Sequence, residues 1–145
     1  MNRNSHSGFT LVEMAVTLLI LGLVLTFAIP GFQKMNQTFQ LQGATQNVAA
    51  QIRLAREKAL ATGIPQPVHI QTTSVYHIHY PSGIATQWTL PRGVTFTSAM
   101  VGGWYTMQRD GRCTYTAPAA GLIVLQNRRG NRDTVSVQLS GLVQE

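Results

Sequence analysis

The sequence predicts an α+β fold in which one long amino-terminal helix, with a membrane-spanning first half, packs on an antiparallel β-sheet domain. Three observations predict this fold. An uninterrupted apolar run occupies residues 9–29, and apolar residues then recur at intervals of three and four as far as Thr62. Short segments rich in β-branched and aromatic residues, separated by glycine and proline, fill the remainder of the 145 residues.

Composition excludes several classes of protein. Hydrophobic residues make up 44% of the chain, which is too large a share for an intrinsically disordered protein. The one cysteine, Cys113, cannot form a disulfide within the chain or supply the paired thiolates of a zinc finger. The formal net charge of +6 permits an anionic partner without naming one.

Residues 9–29 form the predicted membrane segment. At about 1.5 Å per residue, a helix of this length measures about 31 Å, which matches a hydrocarbon core about 30 Å thick. A secretory signal peptide has a shorter apolar region followed by a small-residue cleavage site, whereas here the small residue, Gly8, precedes the run. Cleavage at Gly8 would leave the helix on the mature chain, so we interpret the segment as a retained anchor.

Glu13 is the one ionisable residue in the apolar run. A carboxylate in an apolar membrane helix costs on the order of 2–3 kcal/mol and commonly signals a partner. Two interpretations stay open from the residues alone. Either Glu13 lies at headgroup depth, where the positive end of the helix dipole favours it, or a neighbouring subunit supplies a positive charge.

The segment GFTLVEM at residues 8–14, followed by the apolar helix, resembles the prepilin signature of type IV pilins and type II secretion pseudopilins. The resemblance implies a leader at residues 1–8, cleavage between Gly8 and Phe9 by a prepilin peptidase, and N-methylation of the new terminal Phe9. It also implies that Glu13 contacts the terminal amine of an adjacent subunit during filament assembly. A buried carboxylate and a buried ammonium offset each other's desolvation only when both are present.

Residues 30–63 are predicted to continue the helix as an amphipathic segment. Pro30 lacks an amide hydrogen and its ring clashes with the preceding turn, so we expect a kink in the helix there. Thr62-Gly63, followed by Pro65, is a helix stop signal. The apolar stripe predicted to pack on the sheet consists of Phe32, Met35, Phe39, Val48, Ile52, Ala55 and Ala59.

Residues 64–145 are predicted to form the β-domain. Segments 68–71 and 75–80 are typical of a hairpin, and a turn at 81–83 precedes a third strand at 84–90. Further strands are predicted at 94–97, 104–108, 113–116, 122–127 and 134–139. Turns that contain arginine are predicted at residues 109–112, between the strands at 104–108 and 113–116, and at residues 128–132, between the strands at 122–127 and 134–139.

The order of one helix followed by hairpins, ending in LIVLQNRRGNRDTVSVQLSG, resembles the general secretion pathway H family of minor pseudopilins and minor pilins. Major pilins usually close their carboxyl-terminal region with a disulfide, so the single Cys113 favours a minor pilin or pseudopilin. Cys113 is expected to be a partly buried strand residue, with a reactive or intermolecular thiol as the alternative. The resemblance implies a structural subunit that assembles through its amino-terminal helix into a type II secretion pseudopilus or type IV pilus, near the tip. It also implies a single-pass protein of the bacterial inner membrane, with its carboxyl-terminal domain in the periplasm and other pilins as partners.

The alternative function is that of a DNA-binding minor pilin for natural transformation. Some minor pilins bind DNA through arginines in a carboxyl-terminal Gly-Arg-x-Arg-like segment. The matching residues here keep the glycine, Gly141, but have Leu142 and Gln144 at the two arginine positions. The remaining candidates for phosphate contact are Arg128, Arg129 and Arg132 in one loop, with Arg109 and Arg112 in another. A solvated hairpin turn is the favoured interpretation.

No enzyme, cofactor or metal site is predicted. His77 and His79 share one strand face, and His69 across the hairpin adds a third imidazole that could join them on a metal, but no supporting acidic group is evident. The few acidic residues of the β-domain do not lie beside a nucleophile elbow or a glycine-rich phosphate loop, so a hydrolytic triad is not predicted either.

Overall fold

The computed structural model describes residues 9–79, 86–118 and 120–145. One helix, α1, runs from Leu11 to Thr62. The chain divides into two compact units, one that ends at Asn36 and one that comprises Gln37–Glu145. The described part of the first unit is essentially helix, whereas the second contains the rest of α1 and every described strand.

The carboxyl end of α1 lies where the stop signal predicts it. Gly63 adopts a φ of +68°, a left-handed conformation that glycine takes without steric cost, and its amide donates to the carbonyl of Ala59 at 3.0 Å. Pro30 lies inside the helix, whose assignment is unbroken from Leu11 to Thr62. The helix therefore does not end at Pro30, and the kink stays a prediction.

The carboxyl-terminal part of α1 buries one face, although this face begins later than the sequence predicts. From Val48 onward the predicted stripe is confirmed, whereas Phe32, Met35 and Phe39 are 66%, 48% and 60% exposed. Periodicity shows that a face is apolar but not where along the helix its packing partner begins. The buried residues of the helix are Leu41, Ala44, Thr45, Val48, Ala49, Ile52, Ala55 and Ala59.

The described strands form two antiparallel sheets. They are β1 (Gln66–Ile70), β2 (Val75–Ile78), β3 (Thr86–Thr89), β4 (Val94–Phe96), β5 (Trp104–Met107), β6 (Cys113–Thr116), β7 (Leu122–Asn127), β8 (Arg132–Val137) and β9 (Val143–Gln144). One sheet has the order β3-β2-β1-β5-β6 and the other β4-β7-β8-β9. A 3-10 turn at Ser98–Met100 lies between β4 and β5.

The α+β class with antiparallel strands is confirmed, and the described strands divide between two sheets. Between β3 and β4 the amide of Val94 donates to the carbonyl of Pro91 at 3.1 Å, and Gly93 adopts a φ of +93°. This turn separates β4 from β3, and β4 then pairs with β7 in the second sheet. Single-strand patterns do not specify such pairing partners, so the sequence could not predict the division.

Smaller differences concern individual strands. The strand β8 begins at Arg132, which the sequence places in the preceding turn. The two-residue strand β9 was not predicted, because a segment so short has no alternation to recognise. The predicted turn at 81–83 and the start of the third predicted strand lie outside the described residues.

One hydrophobic core joins the buried face of α1 to both sheets. Its largest fully buried side chains include Tyr105 and Phe96 from the sheets and Ile52 from the helix. Cys113 lies in a strand, as predicted, and is only 1% exposed, so it is more deeply buried than the sequence predicts. Burial raises the pKa of the Cys113 thiol to about 12, so it remains a protonated, unreactive thiol at neutral pH.

Candidate functional site

Glu13 and Thr10 form a reciprocal cap at the start of α1. The amide and the hydroxyl of Thr10 both donate to Oε2 of Glu13 at 2.9 Å, and the amide of Glu13 is 3.2 Å from the Thr10 hydroxyl oxygen, which accepts from it. This is the capping box of a Thr-x-x-Glu sequence. Sequence reasoning missed it, although the four-residue pattern is present. Glu13 therefore has a structural partner within its own chain, and its intermolecular partner stays a prediction.

The helix surface beyond Glu13 is apolar and exposed. Among the described residues, α1 is the one helix long and apolar enough to cross a membrane. Leu11, Leu19 and Phe27, for example, are 85%, 64% and 80% exposed. Leucine and phenylalanine at such exposure in water would be unfavourable, so this surface requires lipid or protein around it.

The predicted processing site lies at the edge of the described residues. Phe9 is 75% exposed, and Gly8 is outside the described part of the chain. The structure thus leaves cleavage between Gly8 and Phe9, and N-methylation of Phe9, as predictions.

Three histidines converge on the five-stranded sheet. His69 of β1 is the register partner of both His77 of β2 and Trp104 of β5, and His79 follows β2 by one residue. The Nδ1 atom of His69 lies 3.2 Å from Nε2 of His77, and that Nε2 lies 2.7 Å from Nε2 of His79. Trp104 stacks on His69 with ring centroids 4.0 Å apart. The sequence placed the three imidazoles together, and the structure gives them one shared centre.

The three arginines proposed for DNA contact lie in and beside the β7–β8 turn. Arg128, Arg129 and Arg132 are all exposed. Asn127 shapes the turn, because its Oδ1 accepts from the amides of Arg129 and Asn131 at 3.0 Å. The other arginine-bearing turn connects β5 and β6 in the other sheet, and there Arg112 pairs with Asp110 at 3.7 Å.

Arginines of α1 contact both the β5–β6 turn and the carboxyl-terminal segment. Nε of Arg56 donates to the carbonyl of Gly111 at 3.0 Å, and Arg53 contacts the carbonyl of Val143 and the carboxylate of Glu145 at 3.2 Å and 3.1 Å. Gly141 adopts a φ of +78°, and a Cβ there would lie 1.8 Å from the carbonyl oxygen of Gly111. Packing alone therefore requires a glycine at position 141, the position that corresponds to the glycine of the Gly-Arg-x-Arg-like DNA-binding segment.

Comparison with known proteins identifies the amino-terminal motif. Residues 3–29 match the family described as the prokaryotic N-terminal methylation motif. This match covers Glu13 and the apolar run, and it is the motif of type IV prepilin-like proteins. No curated protein sequence matches the chain significantly.

The motif is that of type IV prepilin-like proteins, and the long helix packed on antiparallel sheets is a pilin-like architecture. Two crystal structures of the type IV minor pilin FimU from Pseudomonas aeruginosa have a similar fold. One, in space group P65, has a TM-score of 0.55 at 16% identity, covering 72% of this chain and 90% of that chain. The other, in space group P21, has a TM-score of 0.57 at 16% identity, covering 78% and 90%. The long helix packed on antiparallel sheets is thus the pilin fold.

Proposed function

We propose that this protein is a minor pilin or pseudopilin, a single-pass inner-membrane protein whose β-domain lies in the periplasm and whose helix assembles into a filament. One observation carries the proposal: the exposed apolar surface of α1 is longer than a membrane is thick. It extends from Leu11 to Phe39. At about 1.5 Å per residue this span is about 42 Å, against a hydrocarbon core of about 30 Å.

The excess length needs a protein partner. Phe32, Met35 and Phe39 are spaced by three and four residues, so they share one helix face. They follow a segment, residues 9–29, that is long enough to span the bilayer by itself. Neighbouring helices in a filament would cover both the bilayer segment and this extension. A helix that only anchored the chain in the membrane would not need an exposed apolar face beyond residue 29.

Processing and pairing of the amino terminus complete the proposed assembly. Removal of residues 1–8 by a prepilin peptidase would give Phe9 a free amine, which is then N-methylated. The carboxylate of Glu13 would pair with that amine on an adjacent subunit and set the axial register of the helices. The capping contacts with Thr10 occupy Oε2 of Glu13, which leaves its second oxygen as an acceptor for the amine.

The proposal extends to the type of filament and to the position of the subunit in it. The general secretion pathway H resemblance favours a type II secretion pseudopilus, and the pilin fold serves a type IV pilus equally well. The minor role implied by the resemblance places the subunit near the filament tip. Immunogold labelling of each purified filament type would distinguish a tip from a shaft position.

The exposed extension provides a direct test. We expect the triple substitution Phe32→Gln, Met35→Gln and Phe39→Gln to reduce incorporation into filaments by at least tenfold, because it removes apolar contact area that each subunit buries against its neighbours. Membrane insertion should be unchanged, since residues 9–29 are intact. Incorporation is measured by immunoblotting sheared filaments against the membrane fraction.

The control for this test is Gln33→Ala, which changes an exposed polar residue on the same stretch of helix. It should assemble normally. Normal incorporation of the triple variant would contradict the proposal that this face packs in a filament.

The second candidate function, DNA binding, is favoured by one observation. Arg128, Arg129 and Arg132 are exposed in and beside one turn, and the described residues place no carboxylate within ion-pair distance of them. Cations so placed can contact phosphates without reading base sequence.

If the β7–β8 turn binds duplex DNA, loss of its arginines should make the affinity for DNA less dependent on salt concentration. Replacing all three arginines by alanine is expected to reduce the slope of log K against log salt by about 2.7, because three phosphate contacts are lost. The measurement is fluorescence anisotropy of labelled DNA titrated with the full chain in detergent micelles. Arg109→Ala with Arg112→Ala, in the other sheet, is the matched control. Equal binding by both variants would exclude the β7–β8 turn as the DNA site.

A further inference from the structure

The histidine cluster consists of His69, His77 and His79, and it lies on the face of the five-stranded sheet opposite the core. Val68 and Ile70, which flank His69 in β1, are core residues, so the alternation of the strand directs His69 to the other face. The same holds for His77 between Tyr76 and Ile78 in β2. Register pairing of His69 with His77 then brings the two imidazoles side by side.

Hydrogen bonds within the cluster cannot fully satisfy the three nitrogens at its centre. Nε2 of His77 lies within hydrogen-bond distance of both His69 Nδ1 and His79 Nε2. A neutral imidazole nitrogen either donates one hydrogen or offers one lone pair. Whether or not His77 Nε2 is protonated, it has only one hydrogen or one lone pair to share between His69 Nδ1 and His79 Nε2. A cation would accept all three lone pairs at once.

We propose that His69, His77 and His79 bind one divalent transition-metal ion, preferentially zinc or copper, through one ring nitrogen each. Ligand atoms of the three residues all lie within 4.8 Å of one another. Zinc–nitrogen bonds of about 2.0–2.1 Å in a tetrahedron place nitrogens about 3.3 Å apart. Two of the three separations, 3.2 Å and 2.7 Å, fall close to that value, and the third, at most 4.8 Å, would shorten as the rings turn towards the ion.

The surroundings of the cluster also suit a metal. Burial and the nearby His77 and His79 lower the pKa of His69, and burial and His79 lower the pKa of His77. A lowered pKa favours the neutral imidazole, which is the form that binds a metal. Trp104 stacks on His69 and, with ring centroids 5.0 Å apart, on His79, which fixes the two outer rings. His69 and His79 are partly exposed, so the fourth coordination position faces outward and is open to water or to a ligand from another chain.

Metal titration of the full chain tests the proposal. The protein is purified in detergent micelles without a polyhistidine tag, treated with chelator, and titrated with Zn²⁺ by calorimetry. We expect one ion per chain, and at least a tenfold weaker affinity in His69→Gln and in His79→Gln. His6→Gln, made in the unprocessed chain, changes the one histidine outside the cluster and should leave the affinity unchanged. Because His77 is buried, a His77→Gln variant could fail to fold, so the two partly exposed ligands carry the test.

A spectroscopic readout locates the ion independently. Bound Cu²⁺ should quench the fluorescence of Trp104, so Trp88→Phe should retain the quenching and Trp104→Phe should lose most of it. Failure to bind Zn²⁺, or equal affinity of the wild type, His69→Gln and His79→Gln for it, would overturn the proposal. Quenching that survives Trp104→Phe would also overturn it.

Discussion

Replacing Glu13 by valine is expected to leave the protein in the membrane and to remove it from the filament. Valine is more favourable than glutamate in hydrocarbon, so insertion of residues 9–29 should be retained or improved. In the proposed filament, however, the variant leaves the terminal amine of a neighbouring subunit without its carboxylate. Breaking one member of a buried ion pair costs about 3–5 kcal/mol. Incorporation should therefore fall by more than about tenfold, since 1.4 kcal/mol corresponds to a factor of ten.

Two further variants separate the charge of Glu13 from its capping contacts with Thr10. Glu13→Gln keeps an acceptor for the Thr10 amide and hydroxyl, because glutamine also completes a capping box, but it removes the negative charge. Thr10→Ala keeps the charge and removes the cap, at a cost of about 1 kcal/mol to the first helical turn. We expect Glu13→Gln to lose incorporation and Thr10→Ala to retain most of it.

The measurement compares sheared filaments with alkali-washed membranes from the same cells. Each fraction is immunoblotted for the variant, and the ratio of the two signals gives incorporation per inserted chain. If Glu13→Gln assembles normally while Thr10→Ala does not, Glu13 acts as a helix cap and its proposed pairing with the neighbouring amine is wrong.

Replacing Gly141 by alanine is expected to cause the largest loss of stability in the β-domain. The φ of +78° costs a residue with a Cβ roughly 1–2 kcal/mol. The added Cβ would also lie 1.8 Å from the carbonyl oxygen of Gly111 and 2.9 Å from Nε of Arg56. Relief of that overlap requires the backbone to move and disrupts the Arg56–Gly111 hydrogen bond. The free energy of unfolding should therefore fall by more than about 3 kcal/mol.

Gly130→Ala is the matched control for this prediction. Gly130 has a φ of +81°, close to that of Gly141, but a Cβ there would meet nothing within 4 Å. Its cost should be limited to the backbone term of roughly 1–2 kcal/mol. Urea unfolding of the full chain in micelles, followed by tryptophan fluorescence, measures both values. Equal losses of stability in the two variants would show that the predicted contact of residue 141 with Gly111 carries no cost.

Local signals in the sequence were sufficient for much of this fold. The apolar run, the stop signal at Thr62-Gly63 and the hairpin of β1 and β2 each depend on neighbouring residues, and each appears in the structure. The capping box of Thr10 and Glu13 is equally local, because threonine three residues before glutamate is its sequence signature.

Features that depend on distant parts of the chain could not be predicted. The division into two sheets follows from the pairing of β4 with β7, which no local pattern specifies. The stripe that includes Phe32 and Phe39 has the same period as the buried face, but burial of α1 begins only at Leu41. The nearness of His69 to His77 and His79 was foreseeable from the hairpin, whereas the stacking of Trp104 depends on pairing between β1 and β5.

The most direct test of filament assembly is the identity of the amino terminus in purified filaments. Filaments are sheared from cells that make the protein, and the chain is recovered and analysed by mass spectrometry of its terminal peptide. The account predicts that the chain is present and begins at N-methylated Phe9, with residues 10–29 retained. Absence of this protein from both pili and pseudopili would contradict the proposed filament assembly. Filaments in which the protein begins at Met1 or after residue 29 would also contradict it.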